Sequence, residues 1–155
     1  MPASALPRRT PAALLGSARA GVLEALASPE PADRYVRAHL AALRAAAAVL
    51  AARARPAPAG GRRRAPTVWT LLPAVAPELG EWAAFFAAGA AKRAAAESGL
   101  VHAVTAREAD DLVRDAQSFL ELVESGLGLD PGLFRADGTA AGSSAVDPAA
   151  APSAG

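Results

Sequence analysis

The 155-residue chain has no cysteine, no isoleucine and no asparagine, and it has only one lysine, two histidines and seven aromatic residues. Without cysteine it cannot form a disulfide framework, a thiolate zinc site or a cysteine nucleophile. Two histidines are too few for a histidine-rich metal site, and Gly60-Gly61 lacks the preceding strand and the spacing of a phosphate-binding loop, so no metal and no cofactor are predicted. The scarcity of β-branched and aromatic residues also disfavours a protein built from β-sheets.

Alanine is the residue that the chain has in excess, at 45 of 155 positions. Because alanine is the best helix former, the ordered part is predicted to be all-α. The hydrophobic fraction of 52% is largely alanine and does not indicate a membrane span. The best candidate run, Trp82 to Ala91, covers ten residues between Glu81 and Lys92, whereas a bilayer needs about 20. We expect a cytoplasmic protein with no membrane contact.

Helical periodicity and end signals predict four main helices, over residues 10–27, 32–53, 77–98 and 105–126. Thr10 precedes a proline, which is typical of a helix start, and Thr105 with Glu108 forms a T-x-x-E capping box. Thr67 is predicted to cap a short helical turn before the third helix. Because most connections are short, we expect an antiparallel four-helix bundle over residues 10–128.

The spacing of the larger apolar residues predicts which helix faces are buried. The aromatic residues Trp69, Trp82, Phe85 and Phe86 are also expected in the core. The predicted core stripes are Leu15, Ala18, Val22 and Leu26 in the first helix, Val36, Leu40, Leu43, Ala47 and Leu50 in the second, and Leu112, Ala116, Phe119, Leu120, Val123 and Leu127 in the fourth.

Positive charge is concentrated in the first part of the chain. Up to Arg64 there are eleven basic and three acidic residues, and from Ala65 there are five basic and twelve acidic residues. Residues 54–66 are rich in Pro, Gly and Arg and are predicted to form a flexible basic loop, while residues 1–9 and 129–155 are expected to be disordered. A basic patch attracts anionic partners such as RNA. The candidate anion-binding residues are Arg53, Arg55, Arg62, Arg63 and Arg64.

Arg34 and His39 form the most suggestive pair for catalysis, with the spacing R-x-x-x-x-H. In RNA cleavage a histidine can move the proton of a 2′-hydroxyl, and an arginine can stabilise the developing phosphorane charge. On one continuous helix, five residues turn through about 500°, which leaves the two side chains about 140° apart. The pair would therefore act only if a second chain supplied one of the groups. The alternative for His39 is a structural residue at the edge of the core.

The other polar candidates favour structural interpretations. His102 lies in the connection before the fourth helix and is expected to be exposed. The aspartates of the fourth helix are interpreted as a solvated face rather than a metal cluster. Two ion pairs at i,i+4 spacing support this interpretation, Arg107 with Asp111 and Asp110 with Arg114.

Three runs of sequence carry a resemblance to a known family. They are RYVRAHLAALRAAAAVLAAR from Arg34, VWTLLPAVAPELGEWAAFFAAGAAKRAAAESG from Val68 and AREADDLVRDAQSFLELV from Ala106. In this order they resemble the small stand-alone actinobacterial HEPN-domain family, in its SAV-type branch. HEPN stands for higher eukaryotes and prokaryotes nucleotide-binding. The resemblance covers about residues 10–128.

The resemblance implies a bundle of four to five helices that is frequently dimeric. Many HEPN proteins are metal-independent ribonucleases, in which each of two protomers supplies an R-x(4–6)-H motif near the junction of the last two main helices. Others have lost the motif and bind RNA or protein partners. In this chain Arg34 and His39 have a permitted spacing but lie early, whereas His102 lies near the expected position with Arg93 nine residues upstream.

Three functions are compatible with these features. The leading hypothesis is a non-catalytic HEPN module that binds RNA or a protein partner as a homodimer. The second is a metal-independent ribonuclease that uses Arg34 and His39 across a dimer. The third is a structural adaptor whose acidic fourth helix docks a basic partner.

Overall fold

The computed structural model describes residues 9–53, 67–100, 102–128 and 152. These residues contain no β-strand, so the prediction of an all-α bundle is confirmed. The basic loop 54–66 and almost all of the two terminal segments lie outside the described residues. The elements are α1 (Pro11–Ala27), α2 (Pro31–Arg53), α3 (Val68–Val75), a 3-10 turn (Pro77–Leu79), α4 (Gly80–Glu97) and α5 (Ala106–Gly126).

The short turn expected after Thr67 is α3, a helix of eight residues. The Thr67 hydroxyl accepts a hydrogen bond from the backbone N–H of Thr70 at 3.1 Å, which caps the helix as predicted. Pro73 lies inside α3 without ending it. The helix continues to Val75, and its buried residues Trp69 and Leu72 anchor it to the core.

Helix α2 is the centre of the bundle and packs against each of the other four helices. Successive main helices run antiparallel, whereas α2 and α5 run parallel. The parallel direction follows from two contacts, because Arg34 meets Asp110 at the N-terminal ends and Arg53 meets Gly126 at the C-terminal ends. The central helix α2 therefore links all the other helices of the bundle.

The small residues of α1 and α2 allow these two helices to approach closely. A Cβ atom added to Gly21 would lie 3.2 Å from the Cβ of Ala41, which is tighter than ordinary van der Waals contact. The alanines of α2 at this and neighbouring contacts are almost completely buried: Ala38, Ala41, Ala42, Ala45, Ala46 and Ala48.

The buried face predicted for α2 is wrong in part. The residues of the predicted stripe are only partly buried, because α2 has neighbours on several sides and its larger residues lie between those contacts. The prediction for Leu26 is also wrong, since this α1 side chain is 58% exposed. The large polar or apolar side chains that α2 does bury are Tyr35, His39 and Val49.

Aromatic side chains fill the space between α3, α4 and α5. Phe86 and Phe119 are fully buried, with ring centroids 5.2 Å apart. Trp69 and Trp82 both stack on Phe86, with ring centroids 5.1 and 5.8 Å from it. These contacts confirm the predicted aromatic core, although Phe85 is only partly buried.

By length and composition alone, α2 is apolar enough to cross a membrane. Half of its most apolar window is buried inside the bundle, which is the pattern of a core helix in a soluble fold. The helix also buries His39 and packs against four neighbours, so this feature is weak evidence for a membrane span.

The start of α5 is held by the predicted capping box. The Thr105 hydroxyl accepts from the backbone N–H of Glu108, and the Glu108 carboxylate accepts from the backbone N–H of Thr105, both at 3.1 Å. We expect Thr105→Ala to lower the free energy of unfolding by about 1 kcal/mol in urea denaturation. Thr105→Ser keeps the hydroxyl and should keep most of the stability. Equal losses in the two variants would show that the cap does not stabilise α5.

Candidate functional site

His39 is completely buried between α2 and α4. Its Nε2 atom lies 2.8 Å from the carbonyl oxygen of Phe86, and its Nδ1 atom lies 3.3 Å from Nη1 of Arg93. A guanidinium group can only donate, so Nδ1 accepts from Arg93 and the proton of the imidazole sits on Nε2. His39 therefore donates to Phe86 and accepts from Arg93, and it joins two turns of α4 to the central helix.

A close approach of α2 and α4 brings His39 into this position. A Cβ atom added to Gly89 would lie 2.9 Å from the Tyr35 hydroxyl oxygen and 3.5 Å from Cδ2 of His39. The absence of a side chain at Gly89 thus makes room for both residues. The rings of Tyr35 and His39 are stacked, with centroids 6.4 Å apart, and Phe86 meets His39 edge-on at 6.0 Å.

The environment of His39 favours the neutral imidazole. Burial lowers the pKa of His39, and the positive charge of Arg93 lowers it further, against the hydrogen bond to Phe86 and the charge of Glu97. The Nε atom of Arg93 is buried without a hydrogen-bond partner, and Glu97 Oε1 lies 3.8 Å away. A proton added to His39 would face the guanidinium of Arg93 at short range, which the fold disfavours.

Arg34 contacts other parts of the molecule, the connection between α1 and α2 and the start of α5. Its Nε and Nη2 atoms donate to the backbone carbonyls of Ser28 and Pro29 at 3.2 and 3.1 Å, in the connection between α1 and α2. Its Nη1 atom donates to Asp110 of α5 at 2.8 Å. Arg34 is thus a structural clamp between three helices.

The structure does not bring Arg34 and His39 together within one chain. Arg34 faces the start of α5, whereas His39 faces the interior against α4. Since the imidazole of His39 has no exposed surface, a second chain could not bring a substrate to it without opening the bundle. The catalytic role of this pair stays a prediction, and the geometry of the described residues disfavours it.

Arg93 is the partner of His39 that the sequence does not reveal, because spacing along the chain relates Arg93 only to His102, nine residues downstream. Phe86, Gly89 and Arg93 follow one another at spacings of three and four, so they share one face of α4. The apolar stripe of α4 could have indicated that Arg93 points along the buried side. Its partner on α2 could not be found without the register of the two helices.

The basic side chains of the bundle are largely paired. Eight of the ten arginine and lysine residues in the described ranges lie within ion-pair distance of a carboxylate. Arg53, predicted to bind anions, meets Glu78 at 2.5 Å and donates to the carbonyl of Gly126 at 3.2 Å. The other predicted anion-binding residues, which lie outside the described part of the chain, are Arg55, Arg62, Arg63 and Arg64.

The aspartates of α5 are also engaged. Asp111 lies within 4.0 Å of Arg107, as the sequence predicted, and it also contacts Arg114. Asp110 pairs with Arg34 instead of Arg114, and Asp115 is buried rather than solvated, which corrects the expectation of a fully wet face. Among residues 9–53, 67–100 and 102–128, no group of three or more acidic or histidine side chains is placed to hold a metal ion.

An open hollow of about 580 Å³ lies where α4 leads into α5. His102 is exposed at its edge and adopts a positive φ of 71°, which is uncommon for a residue with a side chain. Lys92 lies on the same hollow and forms an ion pair with Glu108. The remaining lining residues are small or apolar: Ala88, Ala91, Ala95, Leu100 and Ala103.

The comparison with known families assigns this helical fold to a family. A family model described as SAV-like HEPN matches residues 25–124, from the end of α1 almost to the end of α5. The chain belongs to the HEPN family. No curated protein and no solved structure matches it.

In this HEPN chain the exposed histidine is the late one. His102 lies at the junction of α4 and α5, where the resemblance places the family's active motif, while His39 lies inside the core. Arg93 is nine residues before His102 but points to His39, and Lys92 is the cation that shares the hollow with His102. The hollow therefore brings an exposed imidazole and a lysine together at the junction of α4 and α5.

This HEPN bundle also exposes large apolar side chains. In the part of the chain that the structure describes, four leucines have 39–62% of their surface accessible. Two of them, Leu23 and Leu26, are one turn apart on α1, and the others lie on α3 and beyond the end of α4. The described surface therefore combines neutralised cations with unburied apolar side chains, which are Leu23, Leu26, Leu71 and Leu100.

Proposed function

We propose that this HEPN protein is a non-catalytic module that acts by binding protein, as a homodimer. The observation that carries the proposal is the surface of the bundle, where internal ion pairs neutralise most cations while leucines remain exposed. Leu23 and Leu26 lie one turn apart on α1, and exposed apolar side chains that lie together mark protein contacts. The burial of His39 supports the non-catalytic part of the proposal.

Binding of RNA would need cations that are available to phosphates. Within the described ranges, only Arg9 and Arg44 have no described carboxylate within ion-pair distance. The bundle also carries twelve acidic residues against ten basic ones over the same ranges, so it does not favour an RNA surface. Affinity for RNA would have to come from the arginines of residues 54–66, which lie outside this part of the chain.

The protein and RNA alternatives are separated by two measurements on the full chain. In sedimentation, we expect a dimer at micromolar concentrations. In fluorescence anisotropy with a labelled single-stranded RNA, we expect no cleavage, and the triple variant Arg62→Ser, Arg63→Ser, Arg64→Ser should remove any binding seen at low salt. If this variant still binds RNA with a steep salt dependence, the bundle itself is an RNA interface and the proposal is wrong. A chain that stays monomeric at all concentrations would also overturn it.

A ribonuclease is the second candidate, because His102 and Lys92 share one hollow at the family's expected position. If the protein cleaves RNA, we expect His102→Ala to reduce the rate by about a hundredfold or more, as for loss of a general acid or base. Arg107→Ala is the matched control, since Arg107 is 92% exposed on the neighbouring first turn of α5. Equal rates in wild type and His102→Ala would exclude this histidine.

A further inference from the structure

Helix α1 has apolar residues on two opposite faces. The inner face packs on α2 and α5 with Leu15, Ala18, Gly21, Val22 and Ala25. On a helix with 3.6 residues per turn, a second apolar set points about 180° away from the first. This outer stripe repeats at spacings of three, four, three and four residues and consists of Ala13, Gly16, Ala20, Leu23 and Ala27, with Leu26 at its edge.

The outer stripe is not covered by the described residues. Leu23 is 62% exposed and Leu26 is 58% exposed, and a Cβ atom added to Gly16 would meet nothing within 4 Å. An apolar face of a helix is normally covered by another part of the protein or by a partner. The alternating spacing of three and four is that of a coiled-coil seam, in which a second helix covers the stripe.

We infer that a second copy of this chain covers the outer stripe, with the two α1 helices packed antiparallel. The inference rests on the homodimer of the proposed function and specifies its contact face. Reversing the stripe about Ala20 keeps alanine at both ends and at the centre and exchanges Gly16 with Leu23. In an antiparallel pair, Leu23 lies opposite Gly16 of the partner subunit, and by symmetry the same contact forms twice. A large side chain thus meets the open position that glycine leaves.

The charges beside the stripe are compatible with this pairing. A twofold axis across antiparallel helices places equivalent flanks of the two copies side by side, so free charges there would repel. The charged residues on the flanks are already neutralised within one chain, Arg19 by Glu124 and Glu24 by Arg37. The stripe itself carries no charge.

The size of the stripe predicts a reversible dimer. From Ala13 to Ala27 it is about 21 Å long, at 1.5 Å per residue. A helix pair of this length buries on the order of 1,000 Å², which is the lower end for a specific interface. Small residues at Gly16 and Ala20 let the helices approach closely, as Gly21 does for α1 and α2. We therefore expect dissociation in the micromolar range.

Two variants of the full chain test the face. In sedimentation equilibrium, Leu23→Glu should weaken the dimer by about a hundredfold, because it places two carboxylates in an apolar contact. Ala84→Glu is the matched control, since Ala84 is exposed on α4 and lies outside both the stripe and the hollow, and its dimer should match wild type. Circular dichroism should show that both variants keep the helical fold.

A cross-linking variant tests the antiparallel register. The chain has no cysteine, so Ala20→Cys introduces one thiol, which in the inferred dimer faces the same thiol of the partner subunit. Mild oxidation should link this variant into a covalent dimer, whereas Ala84→Cys on the exposed face of α4 should stay largely unlinked. A dimer that tolerates Leu23→Glu and leaves Ala20→Cys unlinked would overturn the inference but not the proposed function. A wild-type chain that never dimerises would overturn both.

Discussion

Replacing His39 by alanine is expected to lower the free energy of unfolding by about 3–4 kcal/mol. The change removes a fully buried ring that contacts Tyr35, Trp69 and Phe86, so a cavity forms between α2 and α4. It also removes the acceptor for Arg93, whose Nε atom already has no hydrogen-bond partner. The partly buried guanidinium of Arg93 would then have still fewer contacts to compensate for its loss of hydration.

Urea denaturation followed by tryptophan fluorescence is a direct measurement of this loss, because Trp69 lies in edge contact with the His39 ring. His102→Ala is the matched control, since it removes an exposed imidazole from a connection and should change stability by less than about 0.5 kcal/mol. If the two variants lost the same stability, His39 would not be the joint between α2 and α4. If His39 were catalytic as well as structural, His39→Ala would lower both the free energy of unfolding and the rate of RNA cleavage.

The pH dependence of stability is a second test of the role of His39. Burial and the charge of Arg93 lower the pKa of His39, so the unfolded chain binds a proton near pH 6.5 while the folded chain does not. The stability contributed by His39 is therefore complete above about pH 6.5 and is lost as the pH falls toward the folded pKa. The difference in urea midpoint between pH 7.5 and pH 5.5 should be smaller in His39→Ala than in wild type.

Local signals explain the parts of the fold that the sequence predicts well. Thr10, Thr67 and Thr105 each cap a helix through a side-chain hydrogen bond, and these contacts involve residues only three apart. Helix α5 has one apolar face among charged residues, so its predicted stripe is buried, apart from Leu127 at its end. Caps and amphipathic faces depend on the chain nearby and can be predicted without the tertiary contacts.

Alanine explains the parts that the sequence predicts poorly. In α2, periodicity favours the leucines and valines, yet alanines such as Ala41 and Ala45 are almost completely buried, and Ala41 lies against Gly21 of α1. In α1, apolar residues lie on two opposite faces, so the pattern cannot separate the inner Val22 from the outer Leu26. A small side chain gives little signal in a sequence but decides how closely two helices approach.

The candidate site depends on contacts that span the chain. His39 and Arg93 are 54 residues apart, and they meet because Gly89 lets α2 approach α4 at one register. Spacing within a single helix instead favoured Arg34, which the helical turn directs away from His39. Both histidines could be named from the sequence, but burial alone shows which one a ligand can reach.

The second large effect is expected at the ion pair between Arg19 of α1 and Glu124 of α5. Both carboxylate oxygens of Glu124 accept from the Arg19 guanidinium, and the Glu124 side chain is only 1% exposed. Arg19→Ala leaves a buried carboxylate without its cation, and we expect a loss of about 2–3 kcal/mol at pH 7. This is less than for a fully buried pair, because the Arg19 side chain keeps 44% of its surface exposed.

The sign of the pH dependence separates the ion pair from simple packing. Burial raises the pKa of Glu124, while the charge and hydrogen bonds of Arg19 oppose this rise. The folded chain therefore keeps a proton on Glu124 at a pH where the unfolded chain has released it. Stability falls as the pH rises from about 4.5 through the folded pKa. Without Arg19 this fall should extend to higher pH, and denaturation of Arg19→Ala between pH 5 and pH 8 would reveal it.

Substituting the other partner of the ion pair should lower the free energy of unfolding much less. Glu124→Gln removes the buried charge and leaves Arg19 partly in solvent, so we expect a loss below about 1 kcal/mol at pH 7. The double variant Arg19→Ala, Glu124→Gln should then be more stable than Arg19→Ala alone, since the unpaired carboxylate is gone. If Glu124→Gln instead costs as much as Arg19→Ala, the attraction between the two groups exceeds the cost of burying Glu124. The order of these three variants thus decides whether desolvation or pairing controls the contact between α1 and α5.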